Sequence, residues 1–190
     1  MTRLARAAFG AGALLGAGTA AYVGLVNGSL SVDLGVGRRT RPLGPLVVDI
    51  AAPRNVVYEV ATAPYAERQP RAMHAKVQVL ERGDGMVLAA HRTPVGGDLV
   101  AVTLETVTFE PPVRIGFRLV RGPVPYVVET FELHEDAGTT DGTRLTYTGE
   151  LGTDLGPLGE LWGNRVAHSW VATVEAALEG IRLESERRAH

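Results

Sequence analysis

The chain has 190 residues, of which 45% are hydrophobic and 21% charged, with a formal net charge of −2 and no cysteine. That length allows one ordinary domain plus an appendage, and the missing cysteine excludes a disulfide scaffold, a thiol nucleophile and a cysteine zinc site. Near-neutral charge provides no basic surface for phosphates, so nucleic acid is excluded as a partner.

Ala7 to Val26 carries no charged residue, and Arg3 and Arg6 precede it. An apolar run of about twenty residues is long enough to cross a hydrocarbon core of roughly 30 Å, so residues 1–26 are expected to form a single-pass membrane helix. Gly12 and Gly16 make a G-x-x-x-G pair that would let another helix approach. Two other readings stay open. One is a cleaved signal peptide with its apolar centre at Ala7–Ala17 and small residues Gly18 and Ala20 before the cut; the other is a buried soluble helix. The unbroken continuation Tyr22-Val23-Gly24-Leu25-Val26 favours the retained helix. Residues 27–44 read as a linker, interrupted by Gly28, Gly35, Gly37, Gly44 and Pro42. Its Arg38, Arg39 and Arg41 would meet anionic headgroups or stand solvated.

Residues 45–190 read as one domain. Leu46 to Ile50 is a short apolar run, the first strand, and ends at Pro53. Arg54 to Thr62 carries Val56, Val57, Val60 and Ala61 at helical spacing, Pro64 ends that helix, and Tyr65 to Arg68 forms a second short one. Strands follow at Met73–Glu81, Met86–Thr93 and Asp98–Glu110, separated by Gly83-Asp84-Gly85 and by Pro94 to Gly97. Beyond Pro111-Pro112, Ile115, Phe117 and Leu119 share one strand face and Arg114 and Arg118 the other. Val127, Glu129, Phe131 and Leu133 share a face of the next strand, and Leu145, Tyr147 and Leu151 a face of the last. Pro157 to about Arg187 is a long helix whose stripe of Leu158, Trp162, Val166, Trp170, Val174, Leu178 and Ile181 is expected to face the sheet. The order of strand, short helices, six strands and long helix makes an α+β domain. A sheet of that length curves too far for one helix to fill, which leaves an apolar cavity.

Few constellations carry chemistry. The histidines, at 74, 91, 134, 168 and 190, include no H-E-x-x-H, so no metal site is expected. The Gly-rich stretch at Val95 to Asp98 joins strand to strand and lacks the helix N-terminus that cradles phosphate. Ser29, Ser31, Ser169 and Ser185 stand in no nucleophile elbow. Two polar residues remain. Glu129 alternates with Phe131 and Leu133 and is expected to face inward, where a carboxyl would have a raised pKa. His91 alternates with Val87 and Ala89 and is placed on the same side. Either could orient a ligand or act as an acid/base, and either could equally be an ordinary strand residue.

The element order, the stretch Phe109-Glu110-Pro111-Pro112-Val113-Arg114-Ile115, Gly142 to Tyr147 before the final helix, and Leu46 to Pro53 opening the domain together resemble the START/Bet v 1-like (SRPBCC) superfamily. Within it the chain is most similar to the polyketide cyclase/dehydrase and lipid transport branch. The resemblance implies a helix-grip fold: a curved seven-stranded antiparallel sheet around the long C-terminal helix, two short helices after the first strand, and a deep pocket under the long helix. It implies a hydrophobic small molecule or lipid as ligand, and only some members are cyclases or dehydratases. The lining residues expected for such a pocket are Glu129, His91, Phe117, Phe131, Tyr147, Trp162, Val166 and Trp170, with Tyr58 in the core. No cofactor is expected. Three readings follow: a membrane-tethered binding protein, an acid/base enzyme, or an interaction module with a collapsed pocket. The oligomeric state is left open.

Overall fold

The computed structural model describes residues 18–69, 71–96, 99–135 and 141–190. Residues 18–26 are helical (α1). They are followed by β1 (Arg39–Ile50), α2 (Arg54–Thr62), a 3₁₀ turn (Ala63–Tyr65) and α3 (Arg71–His74). Then come β2 (Val77–Gly83), β3 (Met86–Gly96), β4 (Leu99–Glu110), β5 (Arg114–Arg121), β6 (Tyr126–Glu135), β7 (Thr143–Thr153) and α4 (Pro157–Ala189). The strands form one antiparallel seven-stranded sheet in the order β1-β7-β6-β5-β4-β3-β2. Helix α4 lies mainly against β1, β7 and α2. This is the helix-grip arrangement in its sheet, its two short helices and its closing helix.

Register puts a largely apolar surface on the inner face. Leu133 and Phe131 stand opposite Leu145 and Tyr147, and Phe131 stands opposite Ile115. Phe117 pairs with Val107, which pairs with Val87. Ile115, Val107, Ala89, Leu145, Tyr147 and Leu151 have no exposed surface. At about 25 cal/mol per Å² of apolar area, this face is the main source of stability.

The first strand starts earlier than expected. β1 begins at Arg39 rather than Leu46, and Leu43, buried, pairs with Gly149 before a register shift between Leu43 and Leu46. Pro42 and Gly44, which read as linker breaks, sit in an edge strand, where a missing N–H is tolerated and a bulge between Leu43 and Leu46 absorbs the extra residues. The second short helix is replaced by the 3₁₀ turn at Tyr65 and a helix at Arg71–His74, and β2 starts at Val77 rather than Met73.

The closing helix also departs from its expected stripe at one end. Val166, Val174 and Leu178 are buried, and Trp162, Trp170 and Ile181 pack on the core. Leu158, however, is 73% exposed. The first turns of α4 touch β7 through Gly159 and Gly163 instead. A Cβ on Gly159 would lie 1.7 Å from the Asp154 carbonyl oxygen, so the helix approaches too closely for any larger residue there. That approach turns Leu158 outward.

Of the expected membrane span only residues 18–26 are described; the reading of Ala7 to Ala17 falls outside the described residues. Among the described residues no helix is long and apolar enough to cross a membrane. The end of α1 packs on the domain: Val26 is buried, and the Tyr22 ring meets the Trp162 ring edge-on at 6.1 Å. Gly28, at φ +71°, turns the chain where a Cβ would lie 2.4 Å from the Val102 carbonyl oxygen. Ser31 Oγ then donates to the Gly122 carbonyl at 2.6 Å. Asp154 secures the next segment: its Oδ2 accepts from the Leu34 and Gly35 amides at 2.6 and 2.8 Å, and its Oδ1 accepts from Arg38 Nε at 2.7 Å.

Candidate functional site

Two polar groups interrupt the apolar inner face. Glu129, on β6 opposite Gly149, is 7% exposed. Its Oε1 accepts from the Tyr147 hydroxyl at 2.6 Å and from Trp170 Nε1 at 2.7 Å. Gly149 provides the room: a Cβ there would come within 3.0 Å of the Tyr147 hydroxyl and 3.1 Å of Glu129 Cγ. The second carboxylate oxygen, Oε2, accepts no hydrogen bond from a described residue and is not sealed from the surface. Burial, reinforced by the charge of Glu105, pushes the Glu129 carboxyl up to about 7, against the opposing pull of its two donors and of His91.

The second group lies on β3 and β4. His91 Nδ1 is 3.2 Å from Glu105 Oε2, and Thr103 Oγ1 donates to Glu105 Oε1 at 2.5 Å. On the other side of the ring, Nε2 is 3.0 Å from the Tyr65 hydroxyl. Burial alone would lower His91, but the Glu105 carboxylate outweighs it and raises the imidazole above its ordinary value. In return His91 overcomes the burial of Glu105 and holds that carboxyl below its usual range. The imidazole thus stands between the Glu105 carboxylate and the Tyr65 hydroxyl, with which Nε2 shares a hydrogen bond.

An aromatic row joins the two groups. Tyr65 is 5.7 Å from Phe109 and 6.4 Å from Phe117; Phe117 is 5.3 Å from Phe131, and Phe131 is 5.7 Å from Tyr147. Phe109, Phe117, Ala167, Trp170 and Val171 pack on the core yet keep accessible surface. The cause is the placement of α4 over the β1 and β7 half of the sheet, which leaves the β4–β5 half incompletely covered. Two concavities of the described residues lie away from this row. One, of about 670 Å³, is an open groove between Ala66–Gln69, His74 and the β2 edge at Val79–Arg82. A smaller one, about 220 Å³, lies between Leu46–Val48 and Glu175, Leu178 and Glu179.

Of the residues singled out from the sequence, Glu129, Tyr147, Trp170, Phe131, Phe117 and His91 come together along this row. Val166 is buried in the core beside it. Trp162 does not join them: its Nε1 donates to the Pro123 carbonyl at 2.7 Å and its ring meets Tyr22. Arg118 is exposed, as the alternation of its strand required. Sequence reasoning missed Glu105, Thr103 and Tyr65. For Glu105 the signal was present, since it alternates with Val107 and Phe109 just as Glu129 does with Phe131. Tyr65 follows Pro64 in a 3₁₀ turn, where no period exists to place it. Among the described residues no group of three or more His, Asp or Glu side chains could hold a metal ion.

The comparisons agree with this architecture. Residues 46–186, well over half of the chain, match the family model described as polyketide cyclase / dehydrase and lipid transport. No curated protein matches the chain in sequence. Among solved structures, the Zhui aromatase/cyclase from Streptomyces sp. R1128 is similar with a TM-score of 0.59 and 22% identity, over 80% of this chain and 96% of that one. A Thermus thermophilus protein gives a TM-score of 0.58 at 17% identity, over 80% of this chain and all of the other. The di-domain aromatase/cyclase BexL gives 0.55 at 17% identity, over 81% of this chain and 50% of that one. At such identities these likenesses concern the fold. By the extent of the family match, the chain belongs to the polyketide cyclase/dehydrase and lipid transport family of the SRPBCC superfamily.

Proposed function

We propose that the domain binds a hydrophobic small molecule or lipid along the aromatic row between the sheet and α4, beside a membrane that its N-terminal helix enters. One observation carries the reading: part-exposed aromatic rings run toward a buried carboxyl that keeps one oxygen unpaired. The rings supply apolar area, and Glu129 Oε2 supplies the single polar contact that orients a ligand. The N-terminal tether, Ala7 to Val26 read as a membrane helix, would hold the site where apolar ligands dissolve. An anchor at 1–26 belongs to the same proposal, with the domain's first strand opening at Arg39 rather than after a linker that runs to residue 44.

Native mass spectrometry of detergent-extracted protein tests it, together with titration of an apolar fluorescent probe. A co-purifying hydrophobic molecule, displaced by the probe and quenching Trp170, is the expected result. Protein that carries no ligand and takes up no probe would point instead to an interaction module.

A second reading has its own support. Glu129, near neutrality, and the His91–Glu105 ion pair lie on one inner face, which is the equipment of acid/base catalysis on a cyclising or dehydrating substrate. Glu129→Gln separates the two: probe binding persists in both, whereas turnover of a substrate would fall by about 10²–10⁴ only if Glu129 is an acid/base.

A further inference from the structure

Most exposed apolar side chains of the described residues are scattered, but five gather at one end. Leu34 is 61% exposed, Val36 65%, Leu155 46%, Leu158 73% and Leu161 72%. They are neighbours by bonding and spacing. The Leu155 amide donates to the Val36 carbonyl at 2.9 Å, and the Gly156 amide to the Gly37 carbonyl at 3.0 Å. Leu155, Leu158 and Leu161 follow at intervals of three. Leu155 holds a positive φ of 69°, a conformation that costs a leucine free energy, and it presents its side chain to solvent rather than to the core. The charged groups between them are already engaged, Arg39 with Glu160 at 2.8 Å and Arg38 with Asp33 and Asp154. An apolar surface with its polar groups internally paired is a docking surface in need of a partner.

Helix α1 indicates which partner. It leaves the domain from this patch, with Tyr22 against Trp162, one residue beyond Leu161. Val26 is buried and Val23 to Leu25 are half-buried, while residues 18–22 are exposed, Tyr22 least so through its contact with Trp162. The docked end subtracts from the apolar length. Ala7 to Tyr22 leaves an apolar sequence of 16 residues, short of the about twenty that a hydrocarbon core of roughly 30 Å needs. A short span is accommodated by thinning of the bilayer around it, which brings the membrane surface toward the groups beside the span: here the leucine patch and the Tyr22–Trp162 aromatic pair, ring types that favour the interface.

We propose that Leu34, Val36, Leu155, Leu158 and Leu161 form an apolar collar around the exit of α1 that seats the domain on the lipid bilayer. This rests on the membrane-anchor reading above, and it fixes the domain's orientation, with the N-terminal end of α4 down and its C-terminal end away from the membrane.

Because the chain lacks cysteine, Leu158→Cys, Leu161→Cys and Val36→Cys each accept one environment-sensitive fluorophore in the full-length protein. Leu183→Cys is the control, being 54% exposed on the same helix and about 33 Å beyond Leu161. The labelled proteins are reconstituted into phosphatidylcholine/phosphatidylglycerol vesicles, floated on a density gradient, and titrated with lipids bearing a shallow nitroxide. The expected result is flotation, with quenching at positions 36, 158 and 161 at least twofold that at 183. Protein that does not float overturns the anchor and the collar together. Protein that floats with equal quenching at all four positions overturns the collar alone. Labels at 158 and 161 that are shielded from a soluble quencher in detergent, more so at higher protein concentration, would mean that a second copy covers the patch, and would overturn bilayer docking.

Discussion

Burial and the charge of Glu105 hold the Glu129 carboxyl at about 7, and that has a sign for stability. Between the ordinary value of 4.5 and about 7 the folded chain binds more protons at this group than the unfolded chain does. Stability therefore falls as pH rises through that window. Glu129→Gln removes the charge while keeping an oxygen for Tyr147 and Trp170. Urea denaturation should find the variant close to wild type at pH 4.5 and more stable at pH 8, by on the order of 3 kcal/mol at most. His91 is also raised and loses its contribution as pH rises, so the quantity to compare is the difference between variant and wild type. A difference that does not change with pH would refute the raised carboxyl. At this scale alternation in the strands made Glu129 and His91 legible from the sequence, because period two decides which face a residue takes. What alternation could not show was partnership. That His91 pairs with Glu105, and Glu129 with Trp170, depends on strand register and on the rotation of α4, and neither is written in a local pattern.

The closing helix carries predictions of opposite sign at two glycines. Alanine at Gly159 would drive a Cβ to 1.7 Å from the Asp154 carbonyl oxygen, whereas nothing lies within 4 Å of a Cβ at Gly180. Helix propensity favours alanine at both by about 1 kcal/mol. Gly180→Ala should therefore raise the melting temperature slightly, and Gly159→Ala should lower it, since moving backbone costs about 1–3 kcal/mol or more. Equal effects would mean that α4 does not approach β7 as described. Trp170→Ala should cost about 3–5 kcal/mol and leave Glu129 with one donor. Trp170→Phe keeps most of the ring and should cost only about 1–3 kcal/mol. A Trp170→Ala protein of unchanged melting temperature would place the wrong face of the helix on the sheet. The period of 3.6 revealed α4 and most of its inner stripe. It erred at Leu158 because the first turns pack through glycines, which have no hydropathy to display. β1 was shortened for a similar reason: Gly44, Pro42 and Pro45 read as breaks, and only pairing with β7 makes them a strand.

For the whole molecule, the anchor reading makes a biochemical demand. Full-length protein should pellet with membranes and resist extraction by alkaline carbonate. Recovery of a mature chain beginning near Ala21 would establish a cleaved signal peptide instead. A chain lacking residues up to about Leu43, which the sequence reading would have left intact, is now expected to lose stability. It would remove the Leu34 and Gly35 amides and the Arg38 guanidinium that satisfy Asp154, and an unpaired buried carboxylate is costly. The single α+β domain and its family were legible because seven strands and one long helix in fixed order admit few topologies. The attachment of the N-terminal segment was not, since its contacts join residues more than a hundred positions apart.

That separation also orders events during synthesis. The apolar segment is made before the groups that receive it and the residues after it: Val102 and Gly122 first, then Asp154, Leu155 and Trp162. Docking of that segment cannot be completed until the final helix starts to form. Closure of this joint thus reports that the whole sheet has been completed, and a chain stopped before Asp154 would hold its first segment only through Val102 and Gly122.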